Sequence, residues 1–202
     1  MRTKSLLTIA LAAAGMMYGA SVFAIDTTPA NGPFGTGKII FTGTITNSPC
    51  DIAPGDDQIT VPFGQISYRH LKTTGNTTDS KPFTIHLQNC AFDANGSDVT
   101  DPNSAGKMSK VTVSFTADTG GIDTTHKAYI STGSAQHVGV QLLKSDNSTL
   151  IEPNSTASDT TDAQQLQAGN NSLNFFARLI ALTDAVTPGE VNASVTYTLK
   201  YL

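Results

Sequence analysis

The strongest constraint on the fold is the alternating pattern of the last twelve residues, VNASVTYTLKYL. Apolar side chains recur at every second position, with mostly polar side chains between them; the apolar set is Val191, Ala193, Val195, Tyr197, Leu199 and Tyr201. A period of two residues is typical of a β-strand with one buried face. We expect this strand to pair with an earlier segment of the chain or with another molecule.

Six further segments have strand-like composition and alternation: Lys38–Cys50, Gln58–Gly64, Lys81–Cys90, Lys110–Asp118, His137–Ser145 and Ser172–Leu182. The segments between them are rich in Asn, Asp, Gly, Ser and Pro, which favour turns. About seven short strands joined by such turns predict an all-β, antiparallel sandwich. The stretch around Gln164 and Gln165 has helical propensity, but it is short and has no clear apolar stripe.

The N-terminal residues resemble a secretory signal peptide. Arg2 and Lys4 precede an apolar run, and small residues at Val22 and Ala24 fit cleavage after Ala24. The run is shorter than the roughly 20 apolar residues needed to span a bilayer. We therefore predict that residues 1–24 are removed on export, which leaves 178 residues, a size suited to one domain.

Charge argues against a nucleic-acid partner. The full chain has a net charge of −4, and loss of both leader cations leaves ten Lys+Arg against sixteen Asp+Glu, a net charge of −6. A nucleic-acid-binding domain would be expected to carry a basic surface.

Cys50 and Cys90 are the two cysteines of the sequence. In an exported chain, two cysteines without a competitor are expected to form one disulfide. A loop of this length would contribute roughly 4 kcal/mol in the chain-entropy model. A redox or metal pair would require closer cysteines or paired histidines, which the sequence does not have.

The sequence predicts no catalytic residue, metal ligand or cofactor site. The histidines are scattered, and the strand alternation predicts that His86 faces solvent. Asp93, Asn95 and Ser97 alternate like calcium ligands, but the glycine position and the missing closing Glu favour a surface turn. Nucleophile-elbow, P-loop and dinucleotide motifs are also absent from the sequence.

Residues Ile25–Gly37, IDTTPANGPFGTG, differ from the rest of the predicted mature chain. Three glycines and two prolines in thirteen residues disfavour both a helix and a central strand. We expect a flexible arm here.

Together these features resemble a known family. Gly189 is fourteenth from the C-terminus and Tyr201 is second, at the two ends of the alternating segment. This spacing, with FTGTITNSPC before the first cysteine and FTIHLQNC before the second, is similar to that of pilus subunits assembled by the chaperone–usher route. The resemblance covers essentially the whole mature chain and is strongest to major subunits of type 1-like fimbriae.

The resemblance implies an incomplete immunoglobulin-like sandwich that lacks its seventh strand. The core would then be open along a groove between the first strand and the last, and a donor strand would fill it. The residues implied to contact the chaperone or donor strand are Gly189, Val191, Ala193, Val195, Tyr197, Leu199 and Tyr201.

It also implies partners and a location. The partners would be a periplasmic pilus chaperone, an outer-membrane usher, and identical or related pilins, in a fimbrium on a Gram-negative cell surface. Residues 1–24 would be the signal peptide, 25–37 the donor-strand arm and 38–202 the pilin domain. The donor-arm residues would be Phe34, Gly35, Gly37, Ile39 and Phe41, with the register open because Phe34 has the opposite parity to the others.

Two alternatives stay open from the sequence. One is a minor adaptor or adhesive fimbrial subunit. The other is a secreted carbohydrate-binding or hydrolytic sandwich, against which the absence of Trp counts, since Trp commonly stacks on sugars.

Overall fold

The computed structural model describes residues 37–93, 106–155 and 163–202, and these are almost entirely β. The strands there are β1 (Asp51–Ile52), β2 (Lys81–Cys90), β3 (Lys110–Ala117), β4 (Ile122–Asp123), β5 (Ala128–Ile130), β6 (Val138–Leu143), β7 (Gln164–Gln165), β8 (Gly169–Ala181) and β9 (Val195–Tyr201). Two short 3₁₀ helices, Asp56–Gln58 and Tyr68–Leu71, accompany them. Within the described ranges no helix has the length and apolar character needed to cross a membrane.

The chain comprises two compact units, residues 1–44 and 45–202. The described part of the first unit, residues 37–44, is exposed and belongs to no strand. The predicted signal peptide, residues 1–24, lies outside the described residues. The second unit contains all the strands given above.

The strands of the second unit form two sheets in which every strand pairing is antiparallel. One sheet has the order β1-β2-β8-β6-β5-β4 and the other β7-β3-β9. Their inner faces share one hydrophobic core, to which Ile85 and Leu142 contribute from the larger sheet and Phe115 from the smaller. The structure is therefore the predicted antiparallel β-sandwich.

Aromatic packing lies at the centre of this core. Phe83 stacks on Phe175 with ring centroids 5.6 Å apart, and Phe115 meets Phe175 edge-on at 5.2 Å. The Phe115 ring belongs to the smaller sheet and the other two to the larger sheet. These rings therefore join the two layers by contacts of the geometry that aromatic pairs prefer.

Five predicted strands are present in the structure. The bounds of β2 are those predicted, and β3, β6 and β9 lie inside their predicted segments. Strand β8 begins at Gly169, three residues before its predicted start at Ser172. The strong alternation of these segments was sufficient to locate them.

Two predicted strands are wrong. Lys38–Cys50 and Gln58–Gly64 alternate in polarity, but neither segment forms a β-ladder. Alternation predicts which side chains are buried, whereas a strand also needs a neighbouring backbone at hydrogen-bonding distance. The burial part of the prediction holds in the second segment, where Ile59, Val61 and Phe63 are half-buried and the residues between them are exposed.

Candidate functional site

Among the residues that the structure describes, strand β9 has a strand neighbour on one side only. It pairs with β3, with Tyr197 opposite Phe115, and it lies at the edge of the three-stranded sheet. Four inward-facing side chains pack against the core yet are only half-buried: Val195, Tyr197, Leu199 and Tyr201. An edge strand of this kind presents unpaired backbone N–H and C=O groups along its outer side.

An open groove runs beside β9 over the core. It consists of two adjoining cavities, of about 650 and 730 Å³, that share Val61, Phe63, Val191 and Asn192. One wall is the segment 57–66, and the other is the chain from 186 to 197. The floor is made by side chains of both sheets: Phe83, Phe115, Tyr129, Val140, Leu142, Ala177 and Leu179.

The groove has two distinct ends. The Pro188 end is lined also by Tyr68 and Leu71, and the Tyr197 end by Phe115 and Asp118. Since β9 runs from Val195 toward Tyr201, the chain passes from the Pro188 end to the Tyr197 end.

The wall opposite β9 differs from the one expected. The resemblance implied that the first predicted strand, Lys38–Cys50, would form it, whereas the structure places Ile59, Val61 and Phe63 there. The alternation of these three residues was visible in the sequence. This alternation predicts a paired strand, and it does not by itself indicate a groove wall.

Gly189 lies where the chain crosses closely over another loop. A Cβ at this position would be 2.4 Å from the Ala135 nitrogen and 2.6 Å from the Ser134 carbonyl carbon. The next residue is held at the same place, because the Glu190 N–H donates to Ser134 Oγ at 2.8 Å and the Ala135 N–H donates to the Glu190 oxygen at 2.9 Å. Only glycine fits this crossing without a backbone shift.

Val191 and Ala193 line the groove but precede β9. Val191 is half-buried and packs against the core, whereas Ala193 is exposed. The alternating burial predicted for the whole C-terminal segment is therefore regular only from Val195 onward.

A hydrogen bond at the Tyr197 end joins β9 to Asp56, the residue directly before the opposite wall. The Tyr197 hydroxyl donates to the backbone oxygen of Asp56 at 2.8 Å. The Asp56 carboxylate in turn lies 2.8 Å from Nδ1 of His86, whose side chain is 55% exposed. Burial raises the pKa of Tyr197, and the negative charges of Asp56 and Asp57 add to this effect.

Asp118 holds the start of β9 against the end of β3. Its two carboxylate oxygens accept hydrogen bonds from the hydroxyls of Ser194 and Thr196, both at 2.6 Å. These hydrogen bonds lower the pKa of the Asp118 carboxyl group. Nothing in the sequence pattern identified Asp118, because its partners lie more than seventy residues away.

The chain enters the sandwich beside the last residues of β9. The Tyr201 hydroxyl is buried next to Ser48 and makes no hydrogen bond of normal geometry with the described residues. Burial raises the pKa of Tyr201; the Ser48 contact opposes this rise, and the charge of Asp51 adds to it. The Ser48 hydroxyl donates instead to the Cys50 carbonyl oxygen at 2.7 Å.

The predicted disulfide between Cys50 and Cys90 is confirmed. Both cysteines are buried, with Cα atoms 4.1 Å apart. Cys90 is the last residue of β2, so the bond ties the entry of the chain to a long strand of the larger sheet.

The predicted donor-arm residues fall into two groups. Phe34 and Gly35 lie outside the described residues. Gly37, Ile39 and Phe41 lie in the exposed stretch of the first unit, where Ile39 is 78% and Phe41 89% exposed.

No group of three or more His, Cys, Asp or Glu side chains that could hold a metal occurs among the residues that the structure describes. His126 contacts one carboxylate, that of Asp123, at 3.0 Å. Asp93, the first residue of the calcium-like turn, is described, whereas Asn95 and Ser97 lie outside the described residues.

Comparison with known sequences identifies the family. The family model described as "Fimbrial protein" matches residues 39–202. Long polar fimbria protein A of Salmonella typhimurium is 33% identical over 169 residues, which cover 83% of this chain and 84% of that protein. The type-1 fimbrial protein A chain of Escherichia coli is 31% identical over 207 residues, which cover 100% of both chains.

Solved structures support the same fold. A chain from the structure of a chaperone–usher pilus matches with a TM-score of 0.64 and 24% identity, covering 84% of this chain and 98% of that one. The P pilus rod subunit PapA matches with a TM-score of 0.59 and 23% identity, covering 77% and 100%. The predicted immunoglobulin-like sandwich is thereby confirmed. This chain belongs to the fimbrial protein family, and it is a structural subunit of a surface pilus.

Proposed function

We propose that this pilus subunit polymerises by donor-strand exchange, with the groove beside β9 as the acceptor site. The observation that carries the proposal is the open groove between residues 57–66 and the free edge of β9, over a floor of core side chains. An incoming extended segment would pair its backbone with the outer edge of β9. Its alternate side chains would cover the floor, each large apolar side chain contributing roughly 1.5–3 kcal/mol before ordering costs.

The donor segment in this proposal is the arm of a second copy of the chain. Residues 25–37 form the arm and 38–202 the pilin domain, with the donor strand extending to Phe41. The side chains of Ile39 and Phe41 are exposed in the free chain, so their burial in a neighbour's groove would be favourable. Because donor and acceptor surfaces differ, the contact does not close on itself and builds a fibre.

Export and assembly follow from the same proposal. Residues 1–24 direct export to the periplasm, where a chaperone fills the groove first. An outer-membrane usher then exchanges the chaperone strand for the arm of the next subunit. In this scheme the chain is non-enzymatic and needs neither a cofactor nor nucleic acid.

The proposal is tested with residues 25–202 alone and with a copy of residues 25–41 appended after Leu202 through a flexible linker. The second protein should melt at least about 10 °C higher, since several kcal/mol of added stability raise Tm by roughly 2–4 °C per kcal/mol in a domain of this size. Equal melting temperatures would contradict the proposal.

Two control proteins resolve the register. One carries Ile39→Asp and Phe41→Asp in the appended segment, and the other carries Phe34→Asp and Ile40→Asp. The pair that abolishes the gain identifies the side chains that face the groove, because successive residues of a strand face opposite sides. If neither pair reduces the gain, the appended segment does not occupy the groove as a strand.

A further inference from the structure

A cationic and aromatic surface, the Tyr68 patch, consists of Tyr68, Arg69 and Lys72. The Arg69 guanidinium carbon lies 5.8 Å and the Lys72 ammonium nitrogen 5.9 Å from the centre of the Tyr68 ring. Tyr68 is 40% exposed. Ser67 caps the 3₁₀ helix that carries the patch by accepting a hydrogen bond from the Arg69 N–H.

The two cations of this patch lack anionic partners. In the part of the chain that the structure describes, the ion pairs within 4.0 Å are His86–Asp56, His126–Asp123 and Lys127–Glu152. Arg69 and Lys72 take part in none of them. In a mature chain with ten basic and sixteen acidic residues, Arg69 in the short helix and Lys72 directly after it place two positive charges without an ion pair on one surface, where they can attract an anionic partner surface.

The Tyr68 patch lies at the Pro188 end of the groove. Tyr68 and Leu71 line this end together with residues 186–191. Any segment that passes out of the groove at this end therefore passes the patch.

The opposite pole of the sandwich carries an exposed carboxylate. Asp51 follows Cys50 at the point where the chain enters, close to Tyr201 of β9. Its carboxylate accepts a hydrogen bond from the neutral side-chain amide of Asn89 at 2.9 Å, which leaves the negative charge of Asp51 in place. We call this surface, formed by Ser48 and Asp51, the entry pole.

The direction of strand addition brings these two surfaces together. Every strand pair of the sandwich is antiparallel, so a donor strand that follows this preference runs antiparallel to β9. It then starts at the Tyr197 end and leaves at the Pro188 end. The eight residues from Phe41 to Ser48 are joined by seven peptide links, which span at most about 25 Å when extended. The donor's entry pole therefore lies within this reach of the acceptor's Pro188 end, where the Tyr68 patch is.

We infer that the Tyr68 patch of one subunit docks the entry pole of the next copy of this chain, with Arg69 and Lys72 facing the partner's Asp51. The inference rests on the proposed donor-strand exchange and adds a second contact to it. Opposite charges at the rim of such an interface accelerate association and make it sensitive to salt. They also orient the incoming copy before its arm is seated.

The test measures the rate of polymer growth of the purified mature chain at low and high salt. Arg69→Glu/Lys72→Glu should slow growth by about tenfold or more at low salt, with a smaller effect at high salt. Asp51→Lys should slow it as well, and combining all three substitutions should restore most of the rate because the charges are again opposite. Lys81→Glu, at the exposed start of β2, reverses the charge of a residue that belongs to neither surface and should leave the rate nearly unchanged.

Two readouts separate this inference from the proposed function. Each variant is also made with the appended copy of residues 25–41, and its Tm gain should equal that of the wild type because the groove is untouched. The docking inference is wrong if the Tm gain is retained but the charge reversals do not slow polymer growth. It is also wrong if adding Asp51→Lys to Arg69→Glu/Lys72→Glu does not restore the growth rate. If the appended segment gives no gain even in the wild type, donor-strand exchange itself is wrong.

Discussion

Strands β6 and β9 contribute to the same core and differ in what surrounds them. Strand β6 lies between β5 and β8, and all six of its residues are buried. Strand β9 lies at a sheet edge, and its inward residues are half-buried while the residues between them are exposed. Strand β9 therefore contributes to the core from a sheet edge, with one strand neighbour among the described residues.

The polar groups of the two regions differ in the same way. On β6, the buried side chain of Gln141 accepts a hydrogen bond from Arg178 Nε at 2.8 Å and donates one to the His126 backbone oxygen at 2.6 Å. At the end of β9, the buried hydroxyl of Tyr201 has no such partner within the described chain. Strand β6 thus has a strand neighbour on each side and a hydrogen-bonded Gln141, whereas among the described residues β9 has one strand neighbour and the Tyr201 hydroxyl is unpaired.

The largest expected effect compares Leu142 on β6 with Leu199 on β9. Leu142→Ala should lower the free energy of unfolding by about 2–5 kcal/mol, because Leu142 is 4% exposed and its removal leaves a cavity. Leu199→Ala should cost clearly less in the free subunit, since Leu199 is only half-buried. Urea unfolding measures both values, and the cost at Leu199 should rise toward that at Leu142 once the donor segment is appended. Equal costs in the free subunit would mean that β9 is already covered.

An intermediate effect is expected at Gly189. Gly189→Ala places a Cβ against backbone atoms of Ser134 and Ala135, and such overpacking typically costs about 1–3 kcal/mol. Gly43→Ala is the matched control, because a Cβ there meets no atom within 4 Å. Thermal unfolding should show a lower Tm for the first variant only, and equal Tm values would show that the crossing at Gly189 can relax freely.

The smallest expected effect concerns pH and Asp118. Its hydrogen bonds to Ser194 and Thr196 hold its folded pKa below the ordinary value of about 3.9. The ionised carboxylate therefore stabilises the folded state above about pH 4, and this contribution is lost as the pH falls through the folded pKa. Asp118→Asn lacks it, so the Tm of this variant should fall less than that of the wild type between about pH 5 and pH 2.5. Parallel pH profiles of Tm would show that Asp118 does not stabilise the start of β9.

The long strands with a neighbour on each side were the more predictable part of the fold. Strands β2, β3, β6 and β8 have long apolar patterns that two neighbouring strands turn into ladders, so local pattern and tertiary structure agree. Strands β1, β4, β5 and β7 have two or three residues each, too few for a period to be visible. The last of these, Gln164–Gln165, had only a weak helical propensity, which pairing with β3 overrides.

The groove and its two walls were predictable only in part. The alternation of Ile59, Val61 and Phe63 predicted their inward orientation, but no local pattern states whether a backbone neighbour exists. The bond from Tyr197 to Asp56 spans 141 residues of sequence, and the crossing at Gly189 involves a loop more than fifty residues earlier. Contacts of this kind depend on the complete tertiary arrangement and cannot be derived from one segment.

The Cys50–Cys90 disulfide also has a mechanical consequence. Tension applied to the chain ahead of Cys50 passes across the disulfide into the end of β2. Residues 51–89 form the loop that the disulfide closes, so this tension does not pass through their covalent chain. The wall 57–66 belongs to this loop. If the subunits are linked by the proposed donor-strand exchange, tension along the fibre does not pass through the covalent chain of the wall 57–66.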